Sequence, residues 1–146
     1  MTEDPFDLRR FVDAQEEGGA YTGALAELRT GRKWGHWIWF VFPQIAGLGM
    51  SAMSRRYAIG SLDEARAYLA HPLLGARLHE SAEALLGADP SLSAEWILGG
   101  IDAIKVRSSM TLFARADPGD ELFPAVLDRL YDGEADPRTD QLLGLG

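Results

Sequence analysis

Apolar positions recur at helical spacing along most of the chain, with one aperiodic stretch in the first third. Asp4-Pro5-Phe6-Asp7 reads as a helix start, with Asp4 as the cap and Pro5 where its missing N–H costs nothing. Phe6, Leu8, Phe11 and Val12 give it an apolar stripe, and Gly18-Gly19 stop it. Tyr21, Ala24, Leu25 and Leu28 then repeat at helical spacing up to Gly31. From Trp37 to Phe42 apolar residues run unbroken. A run without period is compatible with a buried helix or a buried strand. The helical neighbours favour a helix ended by Pro43. Because it is apolar on every side it must be covered on every side, which makes it the expected central element.

Beyond a Gly-rich loop through Gly47 and Gly49, Tyr57-Ala58-Ile59 is a short apolar segment of open type, and Ser61-Leu62-Asp63-Glu64 is a capping box before the stripe of Ala65, Tyr68 and Leu69. His71-Pro72 ends that helix and begins another, whose stripe (Leu73, Leu74, Leu78, Ala82, Leu85, Leu86) closes at Gly87. Ser93 caps a short helix through Leu98. Asp102 is placed to cap one running to about Ala114, with Ile104, Met110, Leu112 and Phe113 as its core residues. Leu122, Phe123, Val126, Leu127 and Leu130 mark a last strong amphipathic helix, and a short segment from Asp136-Pro137 follows. The expected fold is mainly α: one compact helical domain over residues 1–146, built around a buried, aromatic-rich central helix.

Composition narrows the function classes. With 47% apolar and 25% charged residues the 146-residue chain has the balance of a globular protein with a real core. A net charge of −8 argues against general nucleic-acid binding, which requires a basic face. There is no cysteine, hence no disulfide and no thiolate chemistry, and the three histidines have no zinc spacing. No metal and no cofactor are expected. The charged N-terminus is not a signal peptide, and no apolar stretch is long enough to span a bilayer. A cytoplasmic location without membrane attachment is the expectation.

Two polar groupings stand out. Lys33 and His36 precede the aromatic run and Gln44 follows it. On a helix, Lys33, His36 and Phe40 would share a face, placing a cation and an imidazole beside aromatic planes such as Trp37, a set suited to an anionic or nucleotide-like group. The second grouping is Asp102, Lys105, Ser108 and Ser109, at spacings that bring them together on one helix. Lys105, Ser108 and Ser109 would hold a phosphate or carboxylate, and Asp102, with His36, would supply general acid–base chemistry. Against this stand plain structural roles: His36 bonding to a loop, Asp102 as a cap, and the serines bonding back to their helix. His71 reads as a turn residue and His79 as part of a solvated face.

The segments Phe11–Gln15, Gly31–Gly49 (GRKWGHWIWFVFPQIAGLG), Ser54–Ile59, Glu64–Leu78 and Asp102–Phe113 together resemble domain-of-unknown-function family 1810, bacterial proteins often labelled "calpastatin". The resemblance spans about Asp7 to Leu143 and implies a mainly helical domain with no established activity. An inhibitor of the calpastatin type would be disordered, whereas this composition packs a core. A fainter similarity, through Ala14-Gln15, His71-Pro72-Leu73 and Asp102, is to NADAR proteins, which implies ADP-ribose-type ligands and N-glycosidic bond cleavage. Arg9 stands where that motif has an acid.

The functional expectation is a pocket between the aromatic run and the Asp102 helix, binding a small anionic, nucleotide-derived ligand and hydrolysing an N-glycosidic bond. The alternative is a non-enzymatic interaction module that binds a protein partner, or itself as a homodimer, through an exposed aromatic surface.

Overall fold

The computed structural model describes residues 3–145, so Met1, Thr2 and Gly146, which the single-domain expectation includes, lie outside the described residues. The fold is mainly α. In chain order the helices are α1 (Arg9–Glu16), α2 (Ala20–Thr30), α3 (Ile38–Val41), α4 (Ala52–Arg56), α5 (Leu62–Ala70), α6 (Leu74–Leu86), α7 (Ala94–Leu98), α8 (Gly100–Ala116), α9 (Leu122–Tyr131) and α10 (Pro137–Leu142). Extended backbone pairs at an isolated parallel bridge, Ile45 with Ile59, where the Ala46 and Ile59 amides donate to Ile59 O and Gln44 O.

The aromatic run is buried as expected, with only Trp39 of Trp37–Phe42 half-buried, but the longest buried stretch belongs to α8. Its middle is buried from Ser108 through Ala114, because α5, α7, α9 and α10 all pack on it. The aromatic run is a single turn. Upstream of it the chain is held by other elements: Lys33 N–H donates to Ile97 O on α7, and the N–H groups of Trp34 and Gly35 donate to the Glu27 carboxylate. Phe42, with φ −125°, leaves the helical region just before Pro43. The rings still reach the core, since Trp37, Ile38, Phe40, Val41 and Phe42 are buried.

A file of aromatic rings joins four helices, with centroid separations of 5.1 Å from Phe11 to Tyr68, 5.4 Å to Phe113 and 5.9 Å to Phe123. Gln15 is buried beside it. Its amide donates to Phe40 O and Tyr68 OH and accepts from Arg77, which ties α1, α3, α5 and α6 together.

Cap chemistry follows the sequence with local differences. Ser61 accepts from Glu64 N–H as expected, while Glu64 reaches one residue further back to Gly60 N–H and pairs with Arg10 at 2.8 Å. Asp4 receives the amides of Leu8 and Arg9, and the helix begins at Arg9 because Asp7 takes a positive φ of 51°. At His71 the imidazole itself caps α6, Nδ1 accepting from Leu73 and Leu74 N–H. His79 is no solvated-face residue: Nδ1 donates to Gly75 O, Nε2 meets Asp120, and the ring packs on Phe123. Ile104, expected in the core, is exposed.

Candidate functional site

Lys33 and Asp102 come together across 69 positions of sequence, Nζ to Oδ2 at 2.7 Å, with the lysine side chain only 7% exposed. Asp102 reaches this position from the first turn of α8, where the helix dipole favours a carboxylate. It does not cap. Gly99 holds the cap position, and the Asp102 side chain turns to the lysines instead. Lys33 also donates to Gly35 O and lies 5.0 Å from the Trp37 ring centre. Lys105 approaches Asp102 Oδ1 at 3.6 Å and stands 5.2 Å over the Trp39 ring. Two cations, one carboxylate and two indoles therefore form a continuous strip in which each lysine is held by charge on one side and by an aromatic face on the other.

Glu27 sets the approach to this strip. Its Oε1 accepts from the amides of Trp34 and Gly35 and, at 3.1 Å, from the indole Nε1 of Trp37. Burial opposes ionisation of Glu27, but the Gly35 and Trp34 amides, the Trp37 indole and the nearby Lys33 outweigh it and lower its pKa. Glu27 went unrecognised in the sequence, where it reads as an ordinary exposed helix acid. Its position four residues before the C′ glycine Gly31 is the one available hint.

The other expected residues are dispersed. His36 is exposed and, outside any helix, shares no helical face with Lys33 or Phe40. Trp37 is buried, with its N–H committed to Glu27. Ser108 donates to Ile104 O and to Asp136, and so secures α10. Thr111 and Arg107 serve the same junction, Thr111 accepting from Asp136 N–H and Arg107 donating to Glu134 O and Ala135 O. Ser109 is fully buried, its hydroxyl unpartnered. Arg9, at the position of the NADAR acid, is exposed and 3.7 Å from Asp13.

Gln44 belongs to a cleft beside Trp39. This hollow of about 140 Å³ is lined by Trp39, Gln44, the backbone around Gly47 and Gly49, Ser54, Arg55 and Tyr57. Gly47 has φ +103° and sits against Leu142. A Cβ on Gly49 would collide with the Ser54 side chain. Those two contacts account for the G-L-G string. Among the described residues the Arg55 guanidinium and the Gln44 amide make no side-chain hydrogen bond or ion pair, and the buried Trp39 Nε1 has no acceptor. Arg55 was not anticipated. The Arg55-Arg56 pair just beyond the glycine loop was the available signal. No cluster of three or more histidine or acidic side chains suited to a metal occurs among the described residues. Nor is any helix there long and apolar enough to cross a membrane.

Among curated proteins none matches. The conserved hypothetical protein Rv1873 of Mycobacterium tuberculosis, known from a crystal structure, is similar, with 51% sequence identity and a TM-score of 0.93 over 98% of this chain and 100% of that one. The family model described as "Protein of unknown function (DUF1810)" matches residues 5–143. The chain thus belongs to the DUF1810 family, whose function is unknown.

Proposed function

We propose that the protein binds a small, anionic, acceptor-rich ligand of the nucleotide-derived kind in the cleft between Trp39 and residues 44–58. The observation that carries this reading is the donor surplus there. The Arg55 side chain, the Gln44 side-chain amide and the main-chain N–H groups of Gly47 and Gly49 have no partner within the described residues, in a chain whose net charge is −8. Uncommitted donors around one hollow fit phosphate or ribose oxygens, and Trp39 and Tyr57 supply apolar walls. The volume takes one phosphate- or ribose-sized group, so the remainder of an ADP-ribose-like ligand extends over the rim.

The Lys33–Asp102–Lys105 strip backs this cleft through the Lys105–Trp39 contact. Hydrolysis of an N-glycosidic bond requires a carboxylate within reach of a water at the bound sugar. Asp102 is engaged by two lysines and does not line the hollow, which favours binding over hydrolysis.

The test is thermal denaturation with ADP-ribose, ATP, ribose 5-phosphate and inorganic phosphate. A ligand present at about 100 times its Kd adds about 2.7 kcal/mol, which raises Tm by roughly 5–10 °C in a chain of this length. Arg55→Ala and Gln44→Ala abolish the shift while leaving the unliganded Tm nearly unchanged. Absence of a shift with all four compounds at millimolar concentration, or a shift that survives both substitutions, refutes the reading.

A further inference from the structure

The hollow beside Trp39 is unequally supplied with donors and acceptors. Several acceptors of its lining residues are already spent: Gln44 O takes the Ile59 amide, Arg55 O the Ala58 amide, and Ala58 O the Arg10 guanidinium. Ser54 Oγ accepts from the Ser51 hydroxyl at 2.9 Å, which leaves its own O–H to donate. The remaining donors are unspent. The Arg55 guanidinium, the Gln44 side-chain amide and the Gly47 and Gly49 N–H groups have no partner within the described residues. Among those residues no aspartate or glutamate lines the hollow. A second cation stands close by, Lys105 Nζ lying 5.2 Å from the centre of the Trp39 ring that forms one wall.

We propose that the group held in this hollow is the terminal phosphate of a phosphomonoester, carried by a nucleoside or a sugar. The inference rests on the ligand cleft proposed above and narrows its occupant. Hydrogen-bonding capacity selects phosphate over ribose. A ribose hydroxyl donates as well as accepts, and a ribose diol is ordinarily met by a carboxylate, which the described lining lacks. Phosphate oxygens accept, and the fork of a free guanidinium matches two of them at once. Charge selects a monoester over a bridging phosphate. A monoester carries about −1.5 to −2 at neutral pH over its terminal oxygens, more than a phosphate esterified at both ends. Size agrees, because a volume of about 140 Å³ admits one phosphate-sized group with a single ester arm leading to the rim, whereas a bridging phosphate needs a way out for two. An ADP-ribose-like ligand would therefore enter by a monoester phosphate and not by its diphosphate bridge.

Isothermal titration calorimetry tests it, with AMP, ribose 5-phosphate and inorganic phosphate set against adenosine, ADP-ribose and cyclic AMP, whose phosphate is esterified twice. The two monoesters are expected to bind at least about tenfold more tightly than the second group, the worth of one charge-assisted contact. Inorganic phosphate should bind alone and compete with both. Whichever of AMP and ribose 5-phosphate binds more tightly identifies the carrier, and either order supports the proposal. Arg55→Gln, at an exposed position, should leave far-UV circular dichroism unchanged and cut the preference for monoesters to less than about threefold. If cyclic AMP, ADP-ribose or adenosine binds as tightly as AMP and loses affinity in Arg55→Ala or Gln44→Ala, the monoester assignment is overturned and the cleft stands as the ligand site. A preference for monoesters that Arg55→Gln leaves intact, or inorganic phosphate that fails to compete, also overturns the assignment. No binding by any of the six compounds removes the cleft reading, and this proposal with it.

Discussion

Breaking the Lys33–Asp102 pair from either side should give unequal losses, and the inequality can be worked from the contacts. In Asp102→Asn the Lys33 ammonium, 7% exposed, keeps only Gly35 O and the Trp37 face as partners. An uncompensated buried cation costs about 3–5 kcal/mol, and Asp102 at 18% exposure places this site at the lower end, about 3 kcal/mol. In Lys33→Met the carboxylate left behind retains Lys105 at 3.6 Å and some solvent, while the new side chain still covers Trp37. That loss should be about 1–2 kcal/mol. The double variant Lys33→Met/Asp102→Asn removes both charges, and its loss should fall short of the sum of the two separate losses by about 2 kcal/mol. The assay is urea denaturation followed by tryptophan fluorescence, with thermal melts alongside. Asp102→Asn should lower Tm by about 6–12 °C and Lys33→Met by about half as much. Additivity of the two changes within about 0.5 kcal/mol would show that the ion pair carries no coupling energy and refute the reasoning.

Three further outcomes follow from local geometry. Glu27→Ala removes the acceptor of two amides and a buried indole N–H and should cost about 2–4 kcal/mol with a red-shifted Trp37 emission; Glu27→Gln, which keeps an acceptor oxygen, should cost about half. Because the Glu27 pKa is lowered on folding, its contribution is present above about 4.3 and lost as pH falls through its folded value, so Glu27→Gln should flatten the acid limb of a Tm–pH profile. For His79, burial disfavours the charge, yet the Gly75 carbonyl and Asp120 outweigh it and raise its pKa. Its contribution is complete below about 6.5 and lost as pH rises through the folded value, a slope that Asp120→Asn should remove and that an NMR titration of His79 reads directly. Gly49→Val places a branched side chain on Ser54 and should collapse the cleft, abolishing any ligand-induced shift while circular dichroism stays helical.

Much of the helical framework was legible in the linear pattern because its determinants are local. The Ser61 cap, the Gly31 stop and the stripe of α6 each depend on residues within one or two turns, and each is found where the spacing puts it. The aromatic run is the buried helix its neighbours suggested, ended before Pro43, but it is only one turn long, and that length is decided from outside. Glu27 and Ile97 claim the amides of residues 33–35, and nothing within the run signals this. Ile104 did mislead, an apolar residue at a helical spacing that no other element covers.

The candidate site divides along the same line. Composition, charge and periodicity determined that the chain packs a helical core without thiol chemistry, since these depend only on which residues are present and how often they recur. Whether Lys33, Asp102, Lys105 and Trp39 meet, whether a hollow opens beside Trp39, and which tryptophans remain in solvent were decided by tertiary structure alone. The physical reason is that a side chain's role depends on the charges, donors and surfaces facing it, and folding draws those from segments that lie far apart along the chain.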